Sequence, residues 1–275
     1  MGVSVMSLLT LFLIALILKA TNALPEAEKF LIDLDISDIP PKRIGVAKSK
    51  RVPGGIHYIV KNSSRHSHVI GDVKDTGETI LRGDERNMSR YVLVAKRERG
   101  ATYVRIINRY RTGGKYSCHL REFIKEDGVS FYREIFRSTV DINLMMQDSD
   151  DAILVNVVPA VVWESSAGVE EHCLTEEDNN TGGDGLIRNY NVQKRIEDYV
   201  TIGVVRYGEY IVDDRIEDLL SRKVTWEGGI EHPKIIVTSL YRDGTELFIK
   251  YKMSVNKARG FYIHNSKKKL IHMSD

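Results

Sequence analysis

The chain is poor in cysteine, and that shortage excludes a disulfide-stapled miniprotein. Cys118 and Cys173 are the two cysteines in 275 residues. A second apolar run of bilayer length is missing, as is a C-terminal apolar tail of the lipid-anchor kind. Nucleophile elbows, phosphate-cradling Walker loops, dinucleotide fingerprints and zinc-helix motifs are all lacking. Net charge is nearly lacking too, at +2. What is present is ordinary globular material, 42% hydrophobic and 28% charged, which excludes collagen, a coiled-coil rod or a low-complexity linker. The length suits about two domains of ~100–150 residues.

The first segment reads as an address. An apolar run from Leu8 to Leu18 is followed by Lys19, and Thr21 and Ala23 supply the small residues of a signal-peptidase site. Residues 1–23 are therefore expected to be a cleaved secretory signal, the alternative being an uncleaved anchor. The mature chain is expected to carry no membrane span. In an oxidising compartment Cys118 and Cys173 are a possible disulfide, or two separate buried thiols. Asn62, Asn87 and Asn179 each open a glycosylation sequon.

Two segments look alike, Tyr91 to Tyr110 and Lys234 to Met253. Each has a short β-branched run, a charged turn ending in Gly100 or Gly244, and a second apolar stretch, the pattern of a β-hairpin. Residues 115–120 then match 260–265, 56–60 match 199–205, and 34–37 match 140–143. These offsets call for an insertion of about 38 residues in the second copy, assigned to the acidic, glycine-containing stretch 164–189. Residues 213–222 carry apolar positions at helical spacing behind acidic residues and predict a short helix. The run 152–163, broken by Pro159, predicts two buried strands or a kinked edge strand.

The second copy resembles the FAINT repeat of secreted proteins of Theileria-type apicomplexan parasites. It does so through Tyr210-Ile211-Val212-Asp213, Trp226, Ile235-Ile236-Val237, Asp243-Gly244 and Phe261-Tyr262. The first copy lacks the tryptophan and the Asp before Gly100. The resemblance covers 34–124 and 138–265 and implies a parasite protein exported into or around a host cell, with no enzyme activity and no catalytic residues.

Charge is segregated. Residues 40–125 carry a net +13, residues 126–220 a net −14, and residues 221–275 a net +6. The basic block suits an anionic partner such as a sulfated glycan, nucleic acid or acidic protein. The self-complementary alternative is that it packs on the acidic part of its own chain. Arg105, Arg109, Arg111 and Lys115, interleaved with tyrosines, are the candidate anionic-partner patch, or else the polar face of a strand. Lys267-Lys268-Lys269 reads as part of a basic tail, 266–275.

The stretch 178–183 resembles a calcium loop, but its twelfth position is Asn189 where a bidentate Glu belongs, so it reads as a turn. His66 and His68, read as alternating on one strand face, and His172 beside Cys173 lack zinc-type spacing. No metal and no cofactor are expected. The expected architecture is mainly β: two related antiparallel β domains with short helices, 34–124 and 138–265. The expected function is a secreted, non-enzymatic interaction protein with a host protein as partner. The alternative is a glycan- or nucleic-acid-binding module within 40–125.

Overall fold

The computed structural model describes residues 28–97, 100–112, 115–160, 185–254 and 260–271. The first unit runs β1 (Phe30–Asp35), β2 (Ile44–Lys48), β3 (Ile56–Val60), β4 (His68–Asp75), β5 (Glu78–Leu81), β6 (Asn87–Lys96), β7 (Thr102–Thr112), β8 (Lys115–Lys125) and β9 (Arg133–Glu134). The second runs β10 (Ser138–Asn143), β11 (Ile153–Pro159), β12 (Leu186–Val192), β13 (Val200–Tyr207), β14 (Tyr210–Asp213), β15 (Leu219–Glu227), β16 (Lys234–Tyr241), β17 (Thr245–Met253) and β18 (Phe261–Leu270). No helix among the described residues is long and apolar enough to cross a membrane.

The two units have one topology. A three-stranded sheet, β1-β4-β5, is matched by β10-β13-β14. A six-stranded sheet, β2-β3-β6-β7-β8-β9, is matched by β11-β12-β15-β16-β17-β18. The large sheets are antiparallel, while β1 pairs β4, and β10 pairs β13, in parallel. Both parallel pairs carry the same irregularity, between Ile32 and Leu34 and between Val140 and Ile142. Asp33 and Asp141 sit at these breaks. Each accepts a bond from the facing backbone, from Asp72 N at 3.0 Å and Val204 N at 2.8 Å. The glycines opposite leave room for those carboxylates: a Cβ on Gly71 or Gly203 would stand 2.8 or 2.5 Å from an aspartate oxygen.

Each unit packs its small sheet on its large one. Leu34, Ile70 and Val73 meet Val92, Val104, Ile106 and Phe123 in the first, and Ile142, Ile202 and Val205 meet Val224, Ile235 and Tyr251 in the second. Central strands of the first large sheet are buried on both faces. Val92 points into this core, and Leu93 and Ala95 into another with Tyr103, Ile124 and Ile135. A fourth cluster joins the units, with Ile107 and Leu120 against Leu220 and Ile271.

Several expectations need correction. The helix over 213–222 does not form. Asp213 ends β14 and Leu219 begins β15, because Asp213 is spent on arginines rather than on a helix start, and Ile216 is 43% exposed. The only helical element beyond a single turn residue among the described residues is the 3-10 turn Lys194–Ile196. The hairpins at Gly100 and Gly244 are both present, but they are not equivalents. The first joins β6 to β7, and its counterpart is β15 to β16. Likewise β4, not residues 56–60, matches β13. The offset is 108 residues at Leu34 and Ile142 and 132 at Gly71 and Gly203. The extra residues therefore number 24, not 38; the pairs Ile44–Val60 and Ile153–Val192 place 23 of them between β11 and β12 and one ahead of β11. That connection includes most of the stretch 164–189, whose final residues, Leu186 to Asn189, begin β12. Of the two readings of 152–163, the edge strand holds: β11 borders its sheet and ends at Pro159. The lysines of the expected tail, Lys267–Lys269, belong to β18 and pair with β17.

Candidate functional site

The four residues of the candidate patch do not form one free surface. Arg105 lies beside Glu122, 2.8 Å from its carboxylate, and Arg137 pairs with the same carboxylate. Arg137 also donates to Glu197 O at 2.6 Å, which ties the first unit to the second. Arg97 adds a bridge to Glu197 at 2.8 Å. Glu122 is 1% exposed. Burial alone would raise its carboxyl, but the Arg105 and Arg137 charges and the Tyr103 hydroxyl bring it down to about 2. Arg109 stacks over Tyr91 and reaches Ile271 O at 3.3 Å. Arg111 lies over Tyr116, and Lys115 is exposed. Part of the basic block is thus consumed in joining the units.

Other sequence candidates are scattered. Cys118 is a free thiol packed near Gly244, where a Cβ would stand 2.8 Å from its sulfur. Burial raises that thiol. Cys173, Asn179, His172 and the stretch 178–183 lie outside the described residues. Asn62 is exposed, whereas Asn87 is 1% exposed. His66 is in a turn and His68 opens β4, so they do not alternate on a strand. Among the described residues no three His, Cys, Asp or Glu side chains gather as metal ligands.

The residue pair that organises both units was not singled out in the sequence. Arg90 on β6 and Arg222 on β15 each sit at 2% exposure on the core face of the large sheet. Arg90 faces Asn108 on β7, and Arg222 faces Ser239 on β16. Both use Nε on that neighbour, at 2.7 Å to Asn108 Oδ1 and 2.9 Å to Ser239 Oγ. Both use Nη1 on the carbonyl of the matching glycine, Gly71 or Gly203. The signal was a repeated Ser-Arg-x-Val, Ser89 to Val92 and Ser221 to Val224. A charged residue inside an apolar alternation, found twice, marks a buried site.

The third nitrogen separates the units. Arg222 Nη2 donates to Asp213 Oδ1 at 3.3 Å and to Arg215 O at 2.6 Å. Burial would raise the Asp213 carboxyl, yet bonds from Arg215 and Tyr251 and the Arg222 charge hold it below its ordinary value. In the first unit Leu81 occupies the register position of Asp213, since Val73 faces Leu81 as Val205 faces Asp213. The five-residue loops that follow, 82–86 and 214–218, have equal length, so Gly83 stands where Arg215 does. Arg90 Nη2 makes no hydrogen bond with the described residues, and Arg90 has no ion pair among them. Burial lowers its guanidinium from the ordinary arginine value, against the opposing pull of Tyr110 and Asp84.

A polar cavity of about 670 Å³ opens at Arg90. Arg82, Arg86, Arg90 and Arg121 line it, against Asp84 and Glu85. Glu134, outside the lining, pairs with Arg121 through both oxygens. The four guanidiniums of the lining outnumber its two carboxylates and leave positive charge in surplus, although Arg86 is bound to Asp84 through both oxygens. His119 adds none at neutral pH, being held below its ordinary value first by burial and then by Arg121 and Arg242. The cavity has a buried donor at its base and cationic side chains at its rim, and among the described residues no carboxylate pairs directly with Arg90, an arrangement that suits an anion.

No protein-family model, no curated protein and no solved structure matches this chain.

Proposed function

We propose that the chain is a secreted, non-enzymatic interaction protein that holds an anionic group of a host macromolecule on its first β unit. The observation that carries this is Arg90, a buried cation whose Nη2 lacks the partner that Arg222 has in the same position. A buried, unpaired charge costs several kcal/mol unless something compensates it, and a ligand that completes Arg90 supplies that compensation. The resemblance to the FAINT repeat supports the host as the source of that partner, and the apolar run of residues 1–23 supports secretion. A host protein is favoured over a sulfated glycan or nucleic acid because the cationic side chains gather around one cavity rather than along a groove.

The test is capture from host-cell extract, and in parallel from a sulfated-glycan resin, at low and high salt. Wild type is compared with the rim variant Arg82→Gln/Arg86→Gln. The expected result is a discrete host protein bound by wild type and released by the rim variant. Retention on the sulfated resin alone, or capture indifferent to both rim arginines, contradicts the proposal.

A further inference from the structure

We propose that the cavity beside Arg90 takes a single carboxylate, presented by an acidic polypeptide segment. This rests on the binding reading above and names its ligand. A partner held through a phosphate or sulfate would leave that reading standing and overturn this one.

The second unit supplies the template. Its arginine has Nε and Nη1 engaged just as Arg90 has, and the remaining nitrogen meets a carboxylate, Asp213. In the first unit Leu81 and Gly83 replace Asp213 and Arg215, and Phe123 replaces the Tyr251 that also bonds Asp213. The first unit therefore lacks the carboxylate that closes this arginine in the second, and a cavity opens there instead. At about 670 Å³ it admits an acidic side chain with flanking backbone.

The second unit decides between anions, since the group it places at this arginine is a carboxylate. The lining carries four guanidiniums against two carboxylates, and Arg86 is bound to Asp84 through both oxygens. Arg90 has Nε and Nη1 each on a protein acceptor and turns Nη2 to the cavity, the nitrogen that Arg222 places on a carboxylate.

The experiment uses the full chain recovered from secretory expression and four probes. These are a capped peptide of alternating Gly and Glu, its phosphoserine counterpart, a neutral Gly-Asn peptide with a free C-terminus, and a heparin hexasaccharide. The variants are Leu81→Asp, which restores the internal carboxylate, and the rim variant Arg82→Gln/Arg86→Gln. At least one carboxylate probe is expected to bind wild type tenfold or more tighter than the phosphoserine and heparin probes. The tighter of the two carboxylate probes tells side chain from chain terminus as the source. Leu81→Asp is expected to weaken that binding at least tenfold while far-UV circular dichroism is unchanged. Should that variant fail to fold, the rim variant tests the same point through the same tenfold loss. Phosphoserine or heparin binding as tight as the carboxylates, or carboxylate binding untouched by the variants, overturns the proposal.

Discussion

Arg90 and Arg222 lie 132 residues apart in the chain and at one register position in two sheets of the same order. They share the bond to a glycine carbonyl and the bond to the facing strand. They differ at Nη2, where one is closed by a carboxylate and the other faces a cavity. The same buried cation is thus closed by an ion pair in one unit and borders a cavity in the other.

The two arginines should respond differently to Met substitution. Arg222→Met leaves Asp213 buried with one partner fewer, and breaking such a pair costs about 3–5 kcal/mol. Arg90→Met strands only neutral acceptors, Gly71 O and Asn108 Oδ1, and removes an uncompensated charge, so its cost is smaller, about 1–3 kcal/mol. Hydrogen exchange read separately over β13–β15 and β4–β6 measures both. Equal losses of protection contradict the distinction.

Acid should loosen the joint between the units. The Glu122 carboxyl sits at about 2 in the fold against an ordinary 4.5, so the unfolded chain takes up its proton first. Its contribution is complete above about 4.5 and is lost as pH falls toward 2. Asp213 acts in the same sense, while Asp198, raised by burial, acts in the opposite one. Urea midpoints across this range should fall for wild type and fall less steeply for Glu122→Gln, which starts lower at neutral pH. Parallel slopes contradict the role of Glu122.

The mainly β character and both hairpins were legible, because β-branched runs around Gly100 and Gly244 need no tertiary context to be read. The pairing between copies was not. Every hairpin of a meander looks like its neighbour, and a slip of one strand aligned β6 with β16. The fixed points were chemical rather than apolar: the glycine that must admit an aspartate, and the arginine in Ser-Arg-x-Val. The false helix over 213–222 arose because Asp213 looked like a first-turn acid when its partners are Arg215, Arg222 and Tyr251. Of the site, the basic character of the first unit was legible, but the cavity was not. The open space beside Arg90 shows only when Leu81 is set against Asp213 in three dimensions.

Glycan occupancy should follow exposure. Asn62 is exposed, whereas the Asn87 side chain is buried with neither polar atom bonded. Peptide mapping after expression in a glycosylating secretory host should find sugar on Asn62 and none on Asn87. A glycan on Asn87 of the folded protein contradicts the placement of β6.

The most direct test observes the two arginines in one spectrum. Side-chain Nε–H signals of Arg90 and Arg222 can be assigned with the Met variants and followed while the capped Gly-Glu peptide is added. The expected result is a saturable shift of Arg90 with Arg222 unmoved, since Arg222 Nη2 is already occupied by Asp213. Movement of exposed arginines alone, or of Arg90 and Arg222 together, would contradict it.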